Sequence, residues 1–180
     1  METEIFGSKK VTIRKLSNKD LRNTEKFQKF VNYLVEEDVQ ISKNKKVSLK
    51  EEKKWLEGML GKIKSRKTVF LVAESNDVVV GDTGIDLGHG RQDHIGTFGI
   101  MILKGYRGVG LGVYLMKEII KLAKKDLKPK PKIIRLGVFP TNKPAISLYK
   151  KLGFKKVARV PRQFQYKGKL VDEIIMLLSL

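Results

Sequence analysis

Apolar and polar residues follow two different periods along this chain. In seven stretches, apolar residues alternate with polar ones or form short runs rich in β-branched residues, which is typical of strands. These stretches are residues 9–16, 68–74, 78–85, 97–103, 133–139, about 154–160 and about 170–178. Only Ser75, Asn76 and Asp77 separate the second stretch from the third, so these two are predicted to form a hairpin.

In four other stretches the apolar residues recur every three to four positions, as they do on one face of a helix. Helices are therefore predicted over about 18–36, from Ser48 onward, from Leu111 onward and over about 142–152. The second helix opens with a capping box, Ser48-x-x-Glu51, in which each side chain can accept a hydrogen bond from the other residue's backbone N–H.

The order of these elements predicts the fold class. The early strands are joined as hairpins, and the later strands alternate with helices, which is the order of a mixed-sheet domain. No internal repeat, low-complexity linker or proline cluster divides the chain. We therefore expect residues 1–180 to form a single α/β domain, with helices flanking a mixed, largely antiparallel central sheet.

The composition excludes several classes of protein. The chain has 180 residues, of which 41% are hydrophobic, enough for a packed core. It has no cysteine, which excludes a disulfide scaffold and a thiolate zinc site. The N-terminus lacks the pattern of a signal peptide, and no apolar stretch approaches the roughly 20 residues of a membrane-spanning helix. These features predict a soluble, cytoplasmic protein.

The charge of the chain is high and uneven. The formal net charge is +19, and residues 101–170 carry 19 basic side chains against two acidic ones, Glu118 and Asp126. Such an excess points to an anionic partner, which could be a nucleic acid, a membrane surface or a phosphorylated ligand. A lysine-rich solvated surface is the alternative explanation.

A glycine-rich turn stands between the strand at 97–103 and the next helix. From residue 107 to residue 112 it reads RGVGLG. Glycines there let the backbone approach a ligand closely, and the first N–H groups of the helix have no partner within the helix. Together with the positive end of the helix dipole, these groups form a site suited to phosphate or pyrophosphate.

Two common phosphate-binding motifs do not match this turn. No Lys-Ser or Lys-Thr follows the glycines at the spacing of a P-loop. The spacing is G-x-G-x-G rather than the G-x-G-x-x-G of dinucleotide-binding folds, and no acidic residue stands about 20 positions further on. An Arg-x-x-Gly-x-Gly turn remains.

A second motif begins thirty residues later. From residue 142 to residue 154 the chain reads NKPAISLYKKLGF. Asn142 is a good helix N-cap, and Gly153 is a good C-cap before a new strand. Tyr149 lies beside the apolar stripe of this helix, a place where an arbitrary tyrosine is usually a partly buried core residue.

The two motifs together closely resemble the acetyl-CoA-binding core of the GNAT N-acetyltransferase superfamily. Motif by motif, the resemblance covers about residues 95–160, and the order of strands and helices extends it to most of the chain. It implies the GNAT fold and the transfer of an acetyl group from acetyl-CoA to an amine.

The resemblance also implies roles for individual residues. The strand before the turn would offer backbone groups to the pantetheine and the thioester carbonyl, the turn would hold the pyrophosphate, and Asn142 would contact the pantetheine. The residues implied for the cofactor are Ile100, Met101, Ile102, Arg107, Gly108, Val109, Gly110, Leu111, Gly112, Val113 and Asn142. Tyr149 would donate a proton to the leaving thiolate. The strands on either side would splay apart in a V to admit acetyl-CoA.

The sequence departs from the family pattern at the general base. Family members that acetylate protein N-termini often carry a glutamate in the strand before the asparagine, but Gly137 stands at that place here. Glu74, at the end of a predicted central strand, is a candidate to relay a proton through water. Glu36 and Glu37, just after the first helix, are candidates to bind the acceptor. Any of these carboxylates could instead be a solvated cap or turn residue.

These residues predict an acetyl-CoA-dependent N-acetyltransferase in which a primary amine, of a small molecule or a protein, attacks directly within a ternary complex. This chemistry requires no metal, and His89 and His94 lack the spacing of metal ligands. The alternative is a non-catalytic basic protein of the same fold that binds nucleic acid or an acidic partner through residues 101–170. A homodimer is also compatible with the family resemblance.

Overall fold

The computed structural model of the chain describes residues 1–41 and 43–180. Its eight strands are β1 (Glu2–Phe6), β2 (Lys9–Lys15), β3 (Thr68–Ser75), β4 (Val78–Leu87), β5 (Ile95–Ile102), β6 (Ile133–Val138), β7 (Lys155–Tyr166) and β8 (Lys169–Ser179). Its four α-helices are α1 (Thr24–Glu36), α2 (Leu49–Lys64), α3 (Leu111–Asp126) and α4 (Lys143–Lys151). Short 3-10 helices cover Asn18–Asn23 and Gly90–Gln92.

All eight strands belong to one sheet, in the order β1-β2-β3-β4-β5-β6-β8-β7. Strands β1 to β5 pair antiparallel with their chain neighbours, and β6, β8 and β7 form a second antiparallel group. The two groups meet at β5 and β6, which are parallel. The predicted mixed, largely antiparallel α/β fold is therefore confirmed.

The helices cover both faces of the sheet, and each face has its own hydrophobic core. Helices α3 and α4 cover one face, where the core includes Leu115, Ile119 and Phe98. Helices α1 and α2 cover the other face, where the core includes Phe27 and Leu56. Because side chains of a strand alternate between faces, β3 contributes to both cores. We call these sides the α3/α4 face and the α1/α2 face.

The capping box predicted for α2 is present. The Ser48 side chain accepts from the Glu51 N–H, and the Glu51 carboxylate accepts from the Ser48 N–H at 2.7 Å. Two of the N–H groups that the first helical turn leaves unpaired are thereby satisfied, which is why the helix begins at Leu49.

Strands β5 and β6 separate after three residue pairs. Ile95 to Thr97 pair with Ile133 to Arg135, and then β5 continues to Ile102 and β6 to Val138 without pairing with each other. The opening between residues 98–102 and residues 136–138 is the V that the resemblance implied. We call it the β5–β6 gap.

Two strands differ from the sequence prediction. Strand β1 was not predicted; it pairs with β2 across a tight turn in which Gly7 has a φ of +62°. Strand β7 extends to Tyr166 rather than to about residue 160. The extension was not predicted because an irregularity with Arg162 at a φ of +59° interrupts the pairing and the alternation of the strand. No helix in the described part of the chain is both long and apolar enough to cross a membrane.

Candidate active site

The edge of β5 that lines the gap offers free backbone groups. Leu103 donates its N–H to Val80 of β4, whereas the carbonyl of His94 accepts from Ile133 at the start of β6. Backbone groups therefore alternate, with odd-numbered residues of β5 facing β4 and even-numbered residues facing β6. The N–H and carbonyl of Ile100 thus face the gap, where β6 has already diverged.

The other two strand residues predicted for the cofactor are placed differently. Met101 lies opposite Asp82 in the β4–β5 ladder, so its backbone groups face β4 rather than the gap. The carbonyl of Ile102 accepts a hydrogen bond from Nε of Arg107 at 2.7 Å. Of the three, only Ile100 presents both backbone groups to the gap.

The glycine turn presents a row of backbone N–H groups. Gly108 has a φ of +74° and Gly110 a φ of +97°, a backbone region that residues with a Cβ rarely occupy. Gly110 is the N-cap of α3 and has no side chain to cap the helix. The N–H groups of residues 108–113 have no acceptor in the described parts of the chain. This is the donor set that a pyrophosphate requires.

Arg107 does not extend toward these N–H groups. Its two terminal nitrogens donate to both carboxylate oxygens of Glu37, at 2.6 and 2.8 Å. One residue predicted for the cofactor and one predicted for the acceptor are thus joined to each other. With the Nε bond to Ile102, this pair attaches the end of α1 to the end of β5.

Asn142 caps α4 as predicted. Its Oδ1 accepts from the N–H of Ala145 at 3.3 Å. The helix it begins packs against the glycine turn, since a Cβ on Gly112 would lie 3.3 Å from the Leu148 side chain. Asn142 therefore starts a helix that lies directly beside the donor row of α3.

Tyr149 lies on the α3/α4 face, packed against aromatic rings. The residue is 7% exposed, and its ring meets Phe98 of β5 edge to face, with centroids 6.1 Å apart, and Phe154 at 6.0 Å. Its hydroxyl makes no hydrogen bond to a described residue. Burial raises the pKa of Tyr149 to about 12, because the phenolate is poorly solvated there. The hydroxyl therefore keeps its proton near neutral pH.

The structure does not bring Glu74 to the gap. Its two carboxylate oxygens accept from Nε and Nη2 of Arg14, each at 2.8 Å, and Arg14 also pairs with Asp20. These contacts raise the pKa of Arg14 above its usual value. Strand β3 is also separated from β5 by β4, about 10 Å at the usual strand spacing.

The two acidic residues predicted to bind the acceptor lie where the chain leaves α1 and crosses the gap. Glu36 is the last residue of α1 rather than the first after it, and it pairs with Lys46. Within residues 37–41, Glu37 binds Arg107, the Asp38 carbonyl accepts from the Tyr166 hydroxyl, and Gln40 donates to Thr141. On one side of the gap the segment thus contacts the glycine turn that follows β5. On the other side it contacts the β6–α4 loop and β7. We call residues 37–41 the crossing segment.

A cavity of about 200 Å³ lies beneath this segment on the α1/α2 face. Phe139, just after β6, stacks on Phe164 with centroids 4.1 Å apart and meets Tyr166 edge to face. The remaining walls come from the end of α1, the crossing segment, the residues after it and β7. The lining residues are Val35, Asp38, Val39, Ile41, Lys43, Asn44, Phe139, Gln163, Phe164, Gln165 and Tyr166.

A carboxylate that sequence reasoning did not assign lies over Gly137. A Cβ built on Gly137 would stand 1.8 Å from Oε1 of Glu173, so the Glu173 side chain occupies the space that a side chain at 137 would need. Glu173 is in β8, the neighbour of β6. The sequence showed an acidic pair within an apolar strand at 172–173, which is the signal that was available.

Two further buried acids lie on the α1/α2 face. Asp82 of β4 is 4% exposed, and Glu52 of α2 is 1% exposed. Neither Glu52 oxygen has a hydrogen-bond partner among the described residues, although Lys43 lies 3.6 Å away. Burial and the neighbouring Glu52 raise the pKa of Asp82 to about 8, and burial raises that of Glu52. In the sequence, the position of Asp82 inside the apolar run 78–85 was the available indication that this acid is buried.

No cluster of three or more metal-ligating side chains occurs in residues 1–41 and 43–180. What the site offers instead is an opening through the sheet. One face carries a row of N–H donors and a protonated phenol; the other carries an aromatic cavity and a partly buried carboxylate. This arrangement suits a ligand with phosphates on the first face that reacts with a second molecule entering from the other.

Comparisons with known proteins agree with this arrangement. The sequence profile of the acetyltransferase (GNAT) family matches residues 28–154. The chain is 34% identical over 107 residues to the L-amino acid N-acetyltransferase AaaT of Escherichia coli, covering 59% of this chain and 65% of that protein. It is 33% identical over 115 residues to an N-alpha-acetyltransferase of Sulfurisphaera tokodaii, covering 59% of this chain and 67% of that protein. The alignments thus span about two thirds of these relatives.

A solved structure extends the likeness to nearly the whole chain. The acetyltransferase of the GNAT family from Streptococcus pneumoniae superposes with a TM-score of 0.80 at 25% identity. The superposition covers 94% of this chain and 99% of that one.

Proposed function

The chain belongs to the GNAT acetyltransferase family, and from this premise we propose that it transfers the acetyl group of acetyl-CoA to a primary amine by direct attack within a ternary complex. The observation that carries the proposal is the β5–β6 gap. It combines the free backbone groups of Ile100 with the unpartnered N–H groups of residues 108–113.

Acetyl-CoA would bind from the α3/α4 face. Its pyrophosphate would accept from the N–H groups of Gly108, Val109, Gly110, Leu111, Gly112 and Val113, where the helix dipole also favours negative charge. Its pantetheine would pair with the free edge of β5 at Ile100, and Asn142 would meet it from α4. Arg107 would act through the position it gives the turn, because its nitrogens already bind Glu37 and Ile102.

Tyr149 would supply the proton for the leaving thiolate. Acetyl transfer breaks the C–S bond, and the departing sulfur is a better leaving group when it is protonated. The phenol of Tyr149 is protonated near neutral pH, since burial raises its pKa to about 12. It stands next to Phe98 on β5, directly beside the gap.

The acceptor amine would enter from the α1/α2 face. One relative is an L-amino acid N-acetyltransferase and the other an N-alpha-acetyltransferase. The aromatic cavity lined by Phe139, Phe164 and Tyr166 is a suitable place for the body of such an acceptor. We therefore propose that an α-amine, free or at a peptide end, is the acceptor class.

Ligand binding and turnover can be tested in two steps. Acetyl-CoA at millimolar concentration is expected to raise the melting temperature of the purified protein, because it binds only the folded state. Release of CoA thiol is then followed with free amino acids, with short peptides bearing free or blocked N-termini, and with polyamines. Absence of any thermal shift would contradict the proposal. Turnover of polyamines alone would contradict the acceptor class.

A further inference from the structure

We propose that Glu173 accepts the proton that the acceptor amine loses before it attacks the thioester. This inference rests on the proposed function and names a residue for its first step. The sequence places glycine where family members that modify protein N-termini often carry a glutamate base. In this chain Glu173 of the neighbouring strand β8 places a carboxylate at the same position.

The position of Glu173 follows from the register of the sheet. Gly137 lies opposite Ile175 in the β6–β8 ladder, so Glu173 is a diagonal neighbour on the same face. Ile174 and Met176 point into the α3/α4 core, so Glu173 points to the α1/α2 face. Because Gly137 has no side chain, the Glu173 carboxylate can lie against its Cα, with Oε1 1.8 Å from the place of the missing Cβ.

This place borders the β5–β6 gap. The carbonyl of Lys132 accepts from Leu180 after β8, so even-numbered residues of β6 face β8 and odd-numbered ones face β5. The backbone groups of Gly137 therefore face the gap. Glu173 and Tyr149 flank it from opposite faces of the sheet, which is where a base for the entering amine and an acid for the departing thiolate would be needed.

Among the residues that the structure describes, Glu173 also differs from the other carboxylates near the gap because no cation is bound to it. Glu37 is held by Arg107, Glu74 by Arg14 and Asp172 by Arg159. Within the described parts of the chain, Glu173 makes neither an ion pair nor a hydrogen bond. An arginine that binds a carboxylate in this way occupies its oxygens, whereas the oxygens of Glu173 stay accessible to an entering amine.

The proposed step balances as follows. The ammonium of the acceptor gives one proton to the Glu173 carboxylate, directly or through one water. The nitrogen lone pair then forms the C–N bond, the C–S bond breaks, and the thiolate takes the phenolic proton of Tyr149. The second proton lost by the nitrogen returns to Tyr149 through solvent, and Glu173 releases its proton to bulk water. The products are the N-acetyl amine, CoA thiol and one proton.

The first test compares Glu173→Gln with Asp172→Asn, a neighbouring acid that Arg159 neutralises. With the best acceptor of the wild-type protein, Glu173→Gln is expected to lower kcat about 100-fold or more. The KM for acetyl-CoA and the melting temperature are expected to stay near the wild-type values. Asp172→Asn is expected to keep kcat within about threefold. A fall in kcat of less than tenfold for Glu173→Gln would overturn the role.

The second test moves the carboxylate between strands. Glu173→Ala removes it, and Gly137→Glu in that background restores one from β6, with room for the new Cβ because the old side chain is gone. We expect the double variant to be at least tenfold faster than Glu173→Ala at the same amine concentration. Equal rates in both folded variants would overturn the role.

The two proposals fail in different ways. A wild-type protein that releases no thiol with any amine would refute the proposed function, and the role of Glu173 with it. An active wild-type protein with an equally active Glu173→Gln would refute only the role of Glu173.

Discussion

At the scale of single residues, the environment of each polar atom separates the residues that can react from those that hold the structure together. Tyr149 lies at the edge of an aromatic cluster, and its hydroxyl has no hydrogen-bond partner in residues 1–41 and 43–180. Glu74 and Glu37, by contrast, each accept two hydrogen bonds from one arginine. Such bidentate pairs are geometrically specific and leave little capacity for another partner. Glu74 and Glu173 are the same residue type, but an arginine binds Glu74, whereas no described residue binds Glu173.

The role of Tyr149 can be tested by Tyr149→Phe. We expect kcat to fall about 100-fold, the usual lower bound for the loss of a general acid, with little change in the affinity for acetyl-CoA. The fold should tolerate the change, because the hydroxyl makes no hydrogen bond to a described residue. Steady-state thiol release measures kcat and the KM for acetyl-CoA, and a melting curve measures the stability of the fold. Tyr33→Phe, at an exposed tyrosine of α1, is the control and is expected to be neutral.

An unchanged kcat in Tyr149→Phe would show that another group, or water, protonates the thiolate. A loss confined to the KM for acetyl-CoA would assign Tyr149 to binding instead.

At the scale of elements, the N-terminus of α3 depends on one glycine. Gly110 caps the helix with a φ of +97°, and its neighbours carry the unpartnered N–H groups. A side chain at this φ costs about 1–3 kcal/mol, which the turn can relieve only by moving its N–H groups. The proposed anion site therefore depends on the local conformation of this turn.

Gly110→Ala is accordingly expected to lower the melting temperature and to weaken CoA binding at least tenfold. Gly58→Ala is the matched control, because Gly58 lies in the middle of α2 with no heavy atom within 4 Å of an added Cβ. That change is expected to stabilise the fold by about 0.5–1 kcal/mol and to leave CoA binding unchanged. Calorimetric titration and thermal melts measure both effects. If Gly110→Ala bound CoA as tightly as the wild type does, CoA binding would not depend on the conformation of this turn.

The crossing segment is the other element that the site depends on. Residues 37–41 contact the glycine turn through Glu37, the β6–α4 loop through Gln40 and the β7–β8 hairpin through Asp38. All three contacts join residues more than 60 positions apart in sequence. They enclose the cavity on the face from which we propose that the acceptor enters.

At the scale of the whole molecule, the uneven charge has a partial explanation. CoA carries about four negative charges, each phosphate contributing roughly one to two near neutral pH. The segment proposed to bind it lies within residues 101–170, which carry 19 basic side chains. Only a few of these cations can reach one CoA. An acidic macromolecular partner, a homodimer and a cytoplasmic location stay predictions.

The buried acids couple the stability of the molecule to pH. The pKa of Asp82 is raised to about 8 by burial and by Glu52, above the ordinary value of 3.8 that it has when unfolded. Between these values the folded chain holds a proton that the unfolded chain has lost, so stability falls as pH rises toward 8, by at most about 1.4 kcal/mol per pH unit per proton. The positive charge of Lys43 opposes this rise in the pKa of Asp82.

Asp82→Asn removes this linkage. Melting temperatures measured from pH 5 to pH 9 are expected to fall less steeply with pH for Asp82→Asn than for the wild type, with the curves becoming parallel above about pH 8. Glu57→Gln, at an exposed acid of α2, is expected to follow the wild type. Parallel curves for Asp82→Asn and the wild type over the whole range would show that Asp82 is ionised in the folded protein.

The sequence by itself determined the order and type of nearly all elements, the capping box of α2, the glycine turn at 107–112 and the family. These properties are local: periodicity, caps and turn chemistry depend on residues within about ten positions of each other. Strand β1 was missed because an edge strand with mostly exposed side chains shows no apolar alternation.

Only the tertiary structure decided which carboxylates are bound by an arginine. Glu74 meets Arg14, Glu37 meets Arg107, and Glu173 reaches across to Gly137, in contacts spanning 36 to 70 positions in sequence. Such contacts are set by the register and order of strands in the sheet, and no local pattern encodes them. The side chain that fills the space above Gly137 therefore became evident only when β8 was placed beside β6.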